Sequence, residues 1–231
     1  MKLNVFSAIA YKQFKDIFKN KTILLQFLLF PLIAILMLVV VPDEEIKSSI
    51  PIMFSTIFIG MTPLSCMASI IAEEKEKNTL TALKFAFVKS VEYLLGIGSV
   101  IFLACLVIIL IFSLMTNGEI LVKVKFFIVL LLGLIPSMIL GSVLGILSKN
   151  QMSVASIVSP ISLIVSLLPL FSTFNENIRM ISRFIYTQQI NDLLNNINNK
   201  FEIEKVLIIM GNAFIFLILF AVVYKKKGLK V

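Results

Sequence analysis

The sequence of 231 residues has no histidine. That removes histidine-based nucleophilic triads, histidine-ligated zinc and imidazole proton relays. Its two cysteines, Cys66 and Cys105, fall inside apolar runs, where a small apolar role fits better than a disulfide or a metal site. No G-x-x-x-x-G-K-[ST] segment occurs, so the chain has no P-loop of its own for ATP. Charge is scarce as well, at 15% of residues against about 25% in an ordinary soluble domain. The long apolar runs carry no Asp, Glu, Lys or Arg. Ion- and proton-coupled carriers usually place such a residue in a span and voltage sensors need several, so the work of this chain is energised from outside its spans. A pore lined with backbone carbonyls stays open on this evidence.

What is present in excess is apolar surface: 59% of residues are hydrophobic and the mean hydropathy is +1.03. At about 20 residues per crossing, six crossings take roughly half the chain and leave only loops and tails. The sequence therefore predicts an all-α integral membrane protein, a single transmembrane domain over residues 1–231. Spans are expected near Thr22–Val41, Ile50–Ala72, Tyr93–Thr116, Phe126–Leu147, Met152–Phe171 and Val206–Val223. A secretory signal fits the first run poorly, because about twenty residues precede it and no A-x-A-like site follows.

The formal charge of +8 is a matter of topology rather than of nucleic-acid binding. Alternate connecting segments separate by sign. One set holds lysines 2, 12, 15, 19, 21, 75, 77, 84, 89, 149, 225, 226, 227 and 230 against Asp16, Glu73, Glu74, Glu76 and Glu92. The other holds Lys47, Lys123, Lys125, Arg179, Arg183, Lys200 and Lys205 against eight acids. The positive-inside rule then puts both termini in the cytoplasm of a multi-pass protein. All basic residues but Arg179 and Arg183 are lysine, and Asn, Ile and Phe are frequent, which hints at an AT-rich bacterial genome and a bacterial cytoplasmic membrane.

Within residues 1–21, Phe6, Ala10, Phe14, Ile17 and Phe18 recur at helical spacing while Lys12, Lys15 and Lys19 share another side. This reads as an amphipathic helix in the interface, or as a plain extension of the first span. Ser148-Lys149-Asn150-Gln151 is a tight turn that makes its flanking spans antiparallel neighbours. Residues 172–205 alternate Ile178, Ile181, Ile185, Leu193 and Leu194 with polar residues. They read as one or two extracellular amphipathic helices resting on the outer leaflet or re-entering it, with a turn expected over Asn191–Asn199. Two hydroxyl stripes occur, Ser55, Thr62, Ser65, Cys66 and Ser69 in the second span and Ser156, Ser159, Ser162 and Ser166 in the fifth. They serve either helix packing or the lining of a translocation path. Gly141-x-x-x-Gly145 reads as packing. Pro31, Pro63, Pro136, Pro160 and Pro169 should kink or break their helices.

Residues 73–92 form a charged segment followed by a short helix with Leu80, Leu83 and Phe87 on one side, between two spans. Either this is a solvated loop or it passes the motion of a docked soluble partner to those spans. The segment resembles the loop of the type-2 ATP-binding-cassette export permeases, in which an acidic/basic run precedes Gly-Thr-Leu, a Leu-containing turn, a Pro-Val/Leu-Ser stretch and Glu-Tyr-x-x-Gly-Lys. Matching positions are Glu73 to Lys77, Thr79-Leu80, Leu83, Val88, Ser90, Glu92-Tyr93 and Gly96, with departures at Asn78, Phe87 and Ile97. The outline of the whole chain resembles that family too.

The resemblance implies a permease that pairs with a second copy or a homologous permease, each docking a cytosolic ATPase subunit. Glu73, Glu74, Lys75, Glu76, Thr79, Leu80, Leu83 and Glu92 would form the coupling region. ATP and Mg would sit on the partner, with no cofactor on this chain. In a chain this compact it further implies export of a hydrophobic or amphipathic peptide or drug. Outside the resemblance stand an ATP-independent membrane immunity or structural protein and a secondary carrier or channel. A Glu-Glu membrane protease is ruled out by the missing histidines, so the chain reads as a transporter subunit and not an enzyme.

Overall fold

The polar residues that punctuate the apolar runs act as helix caps. In the computed structural model, which describes residues 3–77, 90–199 and 202–227, α1 (Leu3–Lys19) is divided from α2 (Lys21–Val40) by Asn20 alone. The Asn20 side chain accepts from the Thr22 and Ile23 N–H groups, satisfying donors that the first turn leaves unpaired. Asp43 does the same for α3 (Glu44–Glu76), accepting from Glu45 N at 2.8 Å and Ile46 N at 3.2 Å. Glu44 and Glu45 in the first turn suit its dipole. Then follow α4 (Ser90–Met115), α5 (Ile120–Leu147), α6 (Gln151–Ser172), α7 (Glu176–Ser182), α8 (Tyr186–Asn195) and α9 (Ile203–Lys227). No strand occurs among the described residues. Six of these helices are long and apolar enough to cross a membrane, so the architecture is that of an all-helical, multi-pass membrane protein.

Boundaries differ from the sequence expectation at α3, at α5, which starts at Ile120 and not near Phe126, and in the segment after α6. Helix α3 extends beyond the expected span at both ends, because the Asp43 cap starts it early and residues 73–76 continue it. The turn expected over Asn191–Asn199 begins only after Asn195, and the reversal within this segment falls instead at Arg183–Ile185.

Helix α3 is the axis of the bundle. Its apolar stretch is 78% buried, against 22% for α2 and 6% for α9, so α3 is sheathed by protein and the other two lie at the rim. Helices α2, α4, α5, α6 and α8 all pack on it. The closest approach is to α5, at Gly141 and Gly145. A Cβ on Gly141 would lie 2.3 Å from the Leu64 carbonyl oxygen, and one on Gly145 would lie 2.9 Å from that of Ala68. Small residues four apart let backbones meet where lipid offers no hydrophobic drive.

Prolines do not interrupt any of these helices; Pro31, Pro51, Pro63, Pro136, Pro160 and Pro169 all sit inside them. Each removes one i→i−4 donor and leaves a carbonyl to be satisfied. For Pro63 that carbonyl belongs to Ile59, and the Ser137 hydroxyl of α5 donates to it at 2.6 Å. For Pro169 it belongs to Val165, and Thr187 of α8 donates to it at 2.6 Å. At these two prolines a hydroxyl from a neighbouring helix thus replaces the missing amide, as a water-free interior favours.

Helix α8 lies among α3, α5, α6 and α9. Seven of its ten residues, Tyr186 to Ile190 with Leu193 and Leu194, are buried. Ile190 occupies the space that a side chain at Gly133 of α5 would need. The short α7 keeps only Ser182 buried.

Two measurements follow. Ser137→Ala should lower stability in detergent by about 1 kcal/mol, the scale of hydrogen bonds between membrane helices. The loss should nearly vanish in a Pro63→Ala background, where the restored amide recaptures Ile59 O; an unchanged loss there would refute the link. Gly141→Ala should cost roughly 1–3 kcal/mol by overpacking. Gly211→Ala, with no atom within 4 Å of the added Cβ, should cost nothing in the same thermal unfolding assay.

Candidate functional site

The charged run at the C-terminal end of α3 is where the sequence gathers its candidate coupling residues. Consecutive helical residues point about 100° apart, so Glu73, Glu74, Lys75 and Glu76 face different neighbours. Glu73 accepts from Lys77 at 2.5 Å, one turn along the same helix. The bond to Glu73, followed by the negative charge of that carboxylate, raises the Lys77 pKa above its ordinary value. Lys77 is exposed and Glu73 half-buried, so this pair adds little stability.

The other three reach different elements. Glu74, with its side chain 10% exposed, pairs with Lys12 of α1 at 2.5 Å. Its second oxygen, Oε2, is buried without a donor among the described residues. Lys75 Nζ donates to the carbonyls of Ile146 and Ser148, each at 2.9 Å, at the C-terminal end of α5. Glu76 Oε2 accepts from the Gln151 N–H at 2.9 Å, at the first residue of α6.

Those two contacts complete helix ends that lack their own charges. Helix α5 has no basic residue in its last turn and α6 no acidic residue in its first. Lys75 and Glu76 supply both from α3, each with the sign that the local dipole favours. Asn150 and Ser153 form a capping box at the start of α6, but that box leaves the Gln151 amide for Glu76. The α5–α6 turn is thus clamped to the end of α3.

A polar cavity of about 820 Å³ opens beside the clamp, between α1 and α3, lined by Lys12, Asp16, Lys19, Glu73, Glu74 and Lys77 among others. Thr79, Leu80 and Leu83 lie outside the described residues. Glu92 falls in the first turn of α4, with its side chain outside the described set.

The hydroxyl stripes take a different course. Thr62 donates to Gln26 O at 3.2 Å and Cys66 to Gln26 Oε1 at 3.3 Å, so this part of the α3 stripe faces α2. Ser55 is buried and bonds Ile52 O of its own helix; Ser65 and Ser69 are half-buried. In α6, Ser162 and Ser166 are buried, with Ser166 against Gly60 of α3, while Ser156 and Ser159 are exposed.

Sequence reasoning passed over Ser137, Thr187, Lys12 as a partner of Glu74, and Gln26. A signal existed for the first two: Pro63 and Pro169 each name, at i−4, a carbonyl in need of a donor. No family model matches this chain, and no curated protein matches it in sequence.

The Lys12–Glu74 pair can be tested by a double-mutant cycle. Lys12 is half exposed, with 49% of its side chain accessible, so a coupling energy of roughly 1 kcal/mol is expected, at the upper edge of surface pairs. Lys12→Met alone should also increase proteolysis between α1 and α2, and Lys12→Met/Glu74→Gln should restore resistance. Zero coupling would mean that the pair contributes nothing to the docking of α1.

Proposed function

We propose that this chain is the transmembrane permease subunit of an ATP-driven exporter of the type-2 ATP-binding-cassette class. It pairs with a second permease and draws on a separate cytosolic ATPase. In this reading both termini and the clamp are cytoplasmic, α1 lies in the inner interface, and the exported compound is a hydrophobic or amphipathic peptide or drug.

The observation that carries the proposal is the clamp. A partner pressing on residues 78–89 acts first on the end of α3. That end is tied through Glu74 to α1, through Lys75 to the C-terminus of α5 and through Glu76 to the N-terminus of α6. A displacement there moves four elements together, which is what converting closure of an ATPase pair into a change of access demands. Glu74, Lys75 and Glu76 then act as transmitters behind the contact surface, and Thr79, Leu80 and Leu83 make the contact. The absence of charge from the apolar runs supports an external energy source. The exposed Ser156 and Ser159 of α6 are available to line a path between two copies.

The test is purification of the tagged chain with its soluble ATPase, followed by reconstitution. Leu80→Asp or Leu83→Asp should abolish docking. Lys75→Met with Glu76→Gln should leave docking intact while lowering ATP-driven transport about tenfold, equivalent to about 1.4 kcal/mol of coupling. Full activity of the isolated chain in cells lacking any such ATPase would overturn the proposal.

A further inference from the structure

The hairpin made by α7 and α8 carries an arginine to a depth where arginine is rare. The Phe184 carbonyl accepts from Asn212 Nδ2 at 2.8 Å. Asn212 lies nine residues into α9, about 14 Å along the helix at 1.5 Å per residue. The Tyr186 ring meets Phe216 edge-on, with centroids 6.3 Å apart, still deeper along α9. Thr187 bonds Val165, seven residues before the end of α6. The tip at Arg183–Ile185 is thus level with Asn212, about 10 Å along α9 beyond Lys205 and within the apolar run Val206–Val223.

The tip is built so that its backbone is satisfied and one group is not. Ser182 O receives the Ile185 N–H at 2.8 Å, Arg183 O receives Gln189 Nε2 and Phe184 O receives Asn212 Nδ2. Two dedicated side-chain amides thus serve the turn carbonyls. The Arg183 guanidinium stacks on the Phe184 ring, with Cζ 4.7 Å from the centroid, and has no acceptor among the described residues. It is exposed, and around it Met180, Ile181 and Phe184 are 61%, 69% and 60% exposed. A cation fixed at this depth, amid open apolar surface, is costly unless an anion meets it.

We propose that Arg183 is the head-group site for an anionic amphiphile reached from the bilayer. The guanidinium fork takes a phosphate in bidentate fashion, and the apolar chain lies along Met180, Ile181 and Phe184. The phosphate belongs either to a bilayer phospholipid or to a soluble amphiphile that partitions in. The site rests on the hairpin geometry alone, so it stands or falls separately from the ATP-driven reading.

The purified chain is placed in nanodiscs, and labelling of Met180–Phe184 by a lipid-soluble photoactivated carbene reagent, which needs no ionised group, is read by peptide mass spectrometry. Dodecyl phosphate added to phosphatidylcholine discs, or the use of phosphatidylglycerol discs without it, should lower labelling at least threefold; dodecyltrimethylammonium should not. Protection by phosphatidylglycerol assigns the site to bilayer lipid, and protection by dodecyl phosphate alone assigns it to a soluble amphiphile. Arg183→Gln should remove the protection, whereas Arg179→Gln, one turn away, should keep it. Because the guanidinium has no hydrogen-bond acceptor among the described residues and only stacks on Phe184, Arg183→Gln should melt close to the wild type in neutral detergent. If Arg183→Gln does not stay monodisperse, Arg183→Lys is read instead, and it should bind dodecyl phosphate several-fold more weakly. Equal protection in wild type and variant, or none in either disc, overturns the proposal.

Discussion

The bundle is organised around a constraint that water would relax: inside a bilayer a carbonyl freed by proline must find a donor within the protein. Pro63 and Pro169 each free one such carbonyl, at the same level of the structure. The donors are Ser137 from α5 and Thr187 from α8. Around them the helices close in, Gly60 against Ser166 and Gly133 against Ile190. Four elements therefore meet at one node, and α8 is drawn among the spanning helices because Thr187 belongs there. A hydroxyl at this level does work that no apolar side chain of similar size could do. Its loss orphans an acceptor rather than merely thinning the packing.

A second node occupies the other end of α3, and its currency is charge rather than neutral hydrogen bonds. Helices α5 and α6 end and begin without side chains suited to their dipoles, and the neighbouring helix provides them. Lys75 and Glu76, adjacent in sequence, bind a helix C-terminus and a helix N-terminus across a three-residue turn. The order of signs matters: exchanging the two residues would set like against like at both ends. Glu74 adds α1, and does so with a carboxylate that is mostly buried while its lysine stays half exposed, which sets the pair at the upper edge of surface pairs. The run Glu73–Lys77 is consequently a set of distinct bonds and not a generic solvated patch.

The spans were legible in the sequence because length and hydropathy are local properties; four of the six expected runs fall inside the helices observed, the first overrunning its helix by Val41 and the third by Thr116. The ends were less so. Asp43 extends α3 by a cap that hydropathy does not register, and residues 73–76, read as a loop, are helical, with Glu74, Lys75 and Glu76 each held by a partner distant in sequence. The hydroxyl stripes disclosed which faces were polar but not which acceptors they met: Thr62 and Cys66 turn to Gln26, a residue of another helix. Ser137 and Thr187 belonged to neither stripe, and spacing could not single them out. In the segment 172–205, amphipathic alternation was visible, yet its buried face in α8 includes Gln188 and Gln189, which a polarity pattern assigns outward.

The two nodes lie on one helix, and Pro63 stands between them. From Ile59 to Lys75 is sixteen residues, about 24 Å of α3, long enough to join the charged end to the level of α8. A helix transmits as a rod only where its ladder is complete. At Pro63 one bond is missing, and its place is taken by Ser137, whose hydroxyl can rotate and release. Movement of the α3 end would bend the helix at that point first. Lys75 already ties the charged end to the C-terminus of α5, and the Ser137 contact to Ile59 is a second tie to the same helix, which reaches through Ile190 against Gly133 to the hairpin that holds Arg183.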